Sequence, residues 1–151
     1  MACMKKNASN FFTPEQQEDM KLAIMDAELD TSGEIRIHIE TRCPGEANDR
    51  AAHIFKLLGM DKTELRNGVL FYLAIENRKF AVIGDSGINV MVEEDFWQHI
   101  KGILIDNFAK GKFTEGLVIS IAKVGTELKK YFPHQRNDVN ELTDDLSFGD
   151  E

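Results

Sequence analysis

The chain has 151 residues, 42% hydrophobic and 29% charged, with 11 glycines, 3 prolines and a net charge of −8. That fits a single globular domain, which at this size hides roughly 70% of its unfolded surface and needs neither disulfides nor a structural metal. A nucleic-acid polymer is excluded as partner, because phosphate neutralisation needs clustered Lys and Arg. No apolar run approaches the ~20 residues of a membrane span, and the first dozen residues lack the apolar stretch of a signal peptide. With Cys3 and Cys43 too far apart in the sequence for a metal-type pair, the expectation is a cytoplasmic protein without a membrane partner.

Residues 1–12 read as a flexible N-terminus. Thr13-Pro14-Glu15-Gln16 is a helix start, with Thr13 as cap, Pro14 at the first helical position and Gln16 completing a capping box. Met20, Ala23, Ile24 and Ala27 continue at helical spacing until Asp30-Thr31-Ser32-Gly33 stops the pattern. Ile35, Ile37 and Ile39 then alternate with Arg36, His38 and Glu40, the period of a strand buried on one face. Cys43-Pro44-Gly45 breaks that strand, and Ala47, Ala51, Ile54, Phe55 and Leu58 mark a crossover helix ending near Gly59.

The unbroken apolar run from Gly68 to Ile75 predicts a central strand covered on both faces. Glu76-Asn77-Arg78 turns it into an antiparallel partner over Lys79 to Ile83, ended by Gly84-Asp85-Ser86-Gly87. Glu93, Glu94 and Asp95 place negative charge at the positive end of a helix carrying Phe96, Trp97, Ile100, Leu104 and Phe108. A further helix runs from Thr114 to Pro133 on Leu117, Ile121, Val124 and Leu128, although Val118-Ile119-Ser120-Ile121 alone has strand character. Residues 134–151 read as an acidic, weakly ordered tail. Six acids and no Lys or Arg fall within 137–151, so −6 of the net −8 lies there and −2 elsewhere. The order predicts a three-layer α/β/α sandwich on a small mixed sheet, Rossmann-like, with helices on both faces.

A right-handed crossover makes the first two strands parallel, and the hairpin makes the third antiparallel to them. The beginnings of strands one and two and the end of strand three then share an edge, which gathers Glu34, Asn67 and Asp85 with Arg66 and Lys62. Carboxylate and amide oxygens suit magnesium or calcium better than zinc, and Gly33, Gly68, Gly84 and Gly87 admit close backbone approach. The structural alternative is that Glu34 pairs with Arg66 or Arg36 and that Asp85 caps a turn with Ser86. The opposite edge, with Thr41, Arg42, Cys43, Glu76, Asn77, Arg78 and Lys79, reads as solvated turns. His38, His53, His99 and His134 organise no site by sequence alone.

Thr31-Ser32-Gly33-Glu34-Ile35-Arg36, Arg66-Asn67-Gly68-Val69-Leu70, Arg78-Lys79-Phe80-Ala81-Val82-Ile83-Gly84-Asp85-Ser86-Gly87, Asp95-Phe96-Trp97 and Gly111-Lys112-Phe113-Thr114-Glu115-Gly116-Leu117 occur in this order. Together they resemble the TPM domain family, named after thylakoid-lumen, photosystem II and acetylcholine-receptor-modulator members, over residues 13–133. The resemblance implies an α/β/α sandwich and divalent-metal binding at a surface cleft, with phosphatase activity in some members and accessory roles in others. Glu34, Asn67 and Asp85 match the polar points of its strand-edge segments. Gly84-Asp85-Ser86-Gly87 departs from the Gly-Tyr-Gly-Leu-Glu type of loop found in many exported relatives.

The expected function is metal-dependent hydrolysis of a small phosphorylated substrate, a phosphomonoester or a nucleotide phosphate such as ATP. Magnesium or calcium would sit on Asp85, Glu34 and Asn67, with Arg66 and Lys62 stabilising phosphate charge. No phosphate-binding glycine-lysine loop is present, since Asp106 stands where the leading glycine before Gly111-Lys112 belongs. The alternative is a non-catalytic metal-binding accessory or interaction module whose tail docks on a protein partner through Leu142, Leu146 and Phe148.

Overall fold

A computed structural model describes residues 6–133 and 146–149. Helix α1 (Pro14–Glu28) begins with the expected capping box: Thr13 Oγ1 accepts from Gln16 N at 3.1 Å, and Gln16 Oε1 accepts from Thr13 N at 2.9 Å. Two of the four amide groups orphaned at a helix start are thereby satisfied. Strand β1 (Glu34–Glu40), helix α2 (Ala47–Leu57), a 3-10 turn (Met60–Lys62) and strand β2 (Gly68–Ala74) form the crossover unit. Strand β3 (Lys79–Gly84) follows, then the short α3 (Ser86–Asn89), α4 (Phe96–Ala109), α5 (Phe113–Tyr131) and strand β4 (Leu146–Gly149).

The sheet order is β3-β2-β1-β4. β1 and β2 are parallel from Glu34↔Gly68 to Glu40↔Ala74, and β2 and β3 are antiparallel from Val69↔Gly84 to Ala74↔Lys79. One face packs Ile35, Ile37, Ile39, Val69, Phe71 and Leu73 against α1, α4 and α5; the other packs Leu70, Tyr72 and Ala81 against α2 and Met60. Each fully hidden aliphatic side chain contributes about 1.5–3 kcal/mol relative to exposure, so this double-sided core is what makes the central strands non-negotiable. The α/β/α sandwich expected from the periodicity is the one observed.

Four features differ from the sequence reading. First, β1 is buried on both faces: Glu34, Arg36, His38 and Glu40 are as hidden as the isoleucines. Second, β4 lies where a weakly ordered tail was expected; it pairs parallel to β1 with Ile37↔Leu146 and Ile39↔Phe148, and Leu146 joins the core. Leu142 and the rest of 134–145 lie outside the described residues. Third, residues 6–12 are packed: Ala8 and Phe12 are buried, and Ala8 N donates to Thr41 Oγ1 at 3.0 Å. Finally, Asp85 caps the unforeseen α3, while Asp95 precedes α4 without a side-chain cap bond.

Helix α5 overrides the local strand character of residues 118–121 because a long stripe ending in Leu128 packs on α1. The crossing is close: a Cβ at Gly125 would stand 2.7 Å from Ala27 Cβ and 2.9 Å from its Cα. Gly125→Val should therefore force α1 and α5 apart and cost about 1–3 kcal/mol. Chemical denaturation should show a lower midpoint; an unchanged midpoint would mean that the crossing yields without loss of core contact.

Candidate functional site

The edge anticipated at the amino ends of β1 and β2 is formed. Glu34 pairs with Gly68, and beyond the last ladder pair Asp85 N donates to Gly68 O at 3.0 Å, so Glu34, Gly68 and Asp85 follow one another across three strands. A Cβ on Gly68 would meet the Met60 carbonyl oxygen at 3.2 Å. Glycine is needed at this position because the 3-10 turn lies directly on the strand. A backbone oxygen therefore covers the gap between the two acidic positions.

Asp85 is buried, and both of its oxygens are engaged. Arg66 Nε and Nη2 donate to Oδ2 at 2.7 Å and Oδ1 at 2.8 Å, and Ser86 N donates to Oδ1 at 2.7 Å. The Ser86 turn considered for Asp85 is thus realised, while Arg66, considered as a partner of Glu34, closes on Asp85. Arg66 reaches this carboxylate from a left-handed backbone conformation, φ 52°, which also lets its carbonyl accept from Gly87 N at 2.8 Å. Such a conformation costs a non-glycine residue about 1 kcal/mol or more and persists where surrounding bonds over-determine it. The Arg66 side chain is nonetheless 49% exposed, leaving its guanidinium a route to solvent.

Asn67 is buried; its amide nitrogen donates to Ser32 Oγ at 3.2 Å and its backbone N–H to Thr63 Oγ1 at 3.3 Å. It ties the rim together in this arrangement. Lys62 is exposed on the 3-10 turn, and its neighbour Asp61 keeps Oδ1 buried without a hydrogen-bond partner. The glycines at 33 and 84 serve packing, since a Cβ there would strike Leu128 and Trp97. Among the described residues no three His, Cys, Asp or Glu side chains already stand together to hold a metal ion. The oxygen donors suit a hard cation, and binding through Asp85 requires Arg66 to release it.

The opposite end of β1 holds a buried polar cluster where solvated turns were expected. Glu40 accepts from Tyr72 O–H at 2.6 Å and from Arg50 Nε and Nη2 at 2.5–3.1 Å. His38 Nε2 lies 3.4 Å from Glu40 Oε1, outside hydrogen-bonding geometry, so this ring nitrogen has no formed hydrogen bond. Cys43 is a buried free thiol beside this cluster. Alternation alone places a strand's polar residues toward water; only pairing β1 on both edges reveals them as interior.

Burial lowers the His38 pKa below its ordinary 6.5, with Glu40 opposing. Burial pushes Glu40 up, but the Arg50 and Tyr72 hydrogen bonds outweigh it and hold the carboxyl below 4.5. For both groups the unfolded chain binds its proton first, so stability is lost as pH falls through each window. Thermal stability should thus fall as pH drops below about 6.5 and fall further below about 4.5. Glu40→Gln should flatten the lower limb; stability rising on acidification through pH 6.5 would contradict the assignment of His38.

No helix among the described residues is long and apolar enough to cross a membrane. No curated protein matches the chain. Among solved structures, it is 42% identical to the BA42 protein from the psychrophilic bacterium Bizionia argentinensis, with a TM-score of 0.86 over 99% of this chain and 100% of that one. An N-terminal domain from P. gingivalis, 16% identical with a TM-score of 0.67, is covered over 85% of each chain. The N-terminal domain of cg2496 from Corynebacterium glutamicum, 10% identical with a TM-score of 0.64, is covered over 84%, against 85% of this chain; these last two share the fold. The model of the TPM domain matches residues 6–127, most of the chain. The chain belongs to the TPM domain family.

Proposed function

We propose that this TPM domain binds a divalent cation, magnesium or calcium, at the rim around Asp85, and there hydrolyses small phosphate esters or nucleotide phosphates such as ATP. The observation that carries the reading is the placement of Glu34 and Asp85 on either side of Gly68, under the Met60 carbonyl. The orphaned Asp61 oxygen on the same 3-10 turn adds a further hard donor. Asp85, Glu34 and these neighbours would hold the ion, and Asn67 would keep the rim in register through Ser32 and Thr63.

A bound ion supplies charge neutralisation for phosphate and a more acidic water. Arg66, once off Asp85, presents the planar fork that matches two phosphate oxygens, and Lys62 adds a mobile positive charge from the adjacent turn. One feature favours the second reading, a cation-binding interaction module without turnover: the Arg66 fork that turnover would need on phosphate is engaged by Asp85 through both Nε and Nη2.

Two measurements separate these. Calcium at about 100 times its Kd should stabilise the fold by about 2.7 kcal/mol, a rise of several degrees in Tm, and Asp85→Asn should abolish that rise. Phosphate release from p-nitrophenyl phosphate or ATP should depend on magnesium or calcium, stop with chelator and fall at least tenfold in Asp85→Asn. A Tm rise without turnover supports the interaction module; neither effect removes the cation site from this rim.

A further inference from the structure

The polar face of β1 assembles a second group of side chains that the Asp85 rim does not use. Ser147 of β4 lies opposite His38 in the parallel register, and its Oγ stands 2.8 Å from His38 Nδ1. On the other side of the ring, Glu40 Oε1 is 3.4 Å from Nε2 and is itself fixed by Tyr72 and Arg50. The Tyr72 ring lies nearly parallel to the imidazole, 6.1 Å away at 12°. The carboxylate beside Nε2 favours the tautomer with its proton there, which leaves Nδ1 to accept from the Ser147 hydroxyl. Burial keeps the ring neutral near pH 7, the state a general base requires.

The geometry points to Ser147, His38 and Glu40 as a nucleophilic triad that hydrolyses small acyl esters without a metal. Ser147 Oγ attacks the ester carbonyl carbon as its proton passes to His38 Nδ1. The bond to the alcohol leaving group then breaks, and His38 gives that proton to the departing oxygen. Water adds to the acyl-serine by the same route, releasing the carboxylic acid and restoring the hydroxyl. Glu40 is a positioning residue: its carboxylate stands 3.4 Å from Nε2 and closes on it as the imidazolium forms.

β4 is the edge of the sheet. Because Thr41 N donates to Gly149 O, the parallel ladder turns the amide of Phe148, the residue after Ser147, away from β1. That outward N–H is the donor available to a developing oxyanion. A cleft of about 720 Å³, lined by Glu40, Arg42, Arg50 and Gly149, borders the Glu40 end of the cluster.

The test treats the full chain, in chelator, with a fluorophosphonate that loses fluoride on forming a phosphorus–oxygen bond, followed by peptide mapping. Ser147 should carry the label, with a rate that rises with pH as His38 deprotonates. His38→Gln should slow labelling at least ~100-fold, and Glu40→Gln should shift the pH profile. Ser147→Cys, which keeps a nucleophile in β4, should be alkylated by iodoacetamide at neutral pH faster than free cysteine. The same chelated protein should release p-nitrophenol from p-nitrophenyl acetate, and Ser147→Ala should not exceed background. Insensitivity to chelator keeps this outcome separate from the Asp85 rim. An unlabelled Ser147 in folded protein, or labelling unchanged by His38→Gln, would overturn the triad and leave the contact as a bond that docks β4.

Discussion

The rest of the structure depends on burying β1 along both edges and both faces. Its isoleucines enter the core shared with α1, α4 and α5, which any amphipathic strand would do. Its other face carries Glu34, Arg36, His38 and Glu40 into the interior as well. Burying ionisable groups is costly unless they find partners; neighbouring elements supply them to Glu40 and to His38 Nδ1, while Arg36 Nε stays buried without a hydrogen bond. Arg50 from α2 and Tyr72 from β2 converge on Glu40, while Ser147 from β4 reaches His38. Elements distant in the chain are thus held in register by polar bonds as well as by apolar contact.

The two ends of β1 solve the same electrostatic problem differently. At the amino end the buried Asp85 carboxylate is neutralised by the half-exposed Arg66. At the carboxyl end Glu40 is held by Arg50 and by the hydroxyl of a buried tyrosine, whose own ionisation is pushed far up by burial and by Glu40. That second carboxylate accepts from Arg50 Nε and Nη2 and from the Tyr72 hydroxyl.

Membership of the TPM family accounts for the sandwich and for the edge that collects Glu34, Asn67 and Asp85. The family match ends at residue 127, before β4. This strand supplies Ser147 and contributes Gly149 to the cleft beside Glu40. In this chain the outer edge of β1 is consequently covered by side chains that lie beyond the matched segment.

Local patterns in the sequence determined most of the elements. The capping box at Thr13, the alternation of Ile35, Ile37 and Ile39, the apolar run after Gly68 and the turn at Glu76-Asn77-Arg78 each act over a few residues, where steric and hydrogen-bonding preferences are strong. Connection handedness then sufficed to bring Glu34 and Asp85 to one edge. What only the tertiary structure decided was pairing across long stretches of chain: that Arg66 closes on Asp85, that Asn67 turns inward to Ser32, and that Leu146–Gly149 adds a fourth strand. A four-residue segment bordered by acids has too little apolar surface to declare itself a strand; it becomes one because the β1 edge offers it unpaired amides and carbonyls. The same pairing turned the polar face of β1 from a water-facing surface into an interior, because solvent exposure is a property of neighbours in space rather than of alternation along the chain.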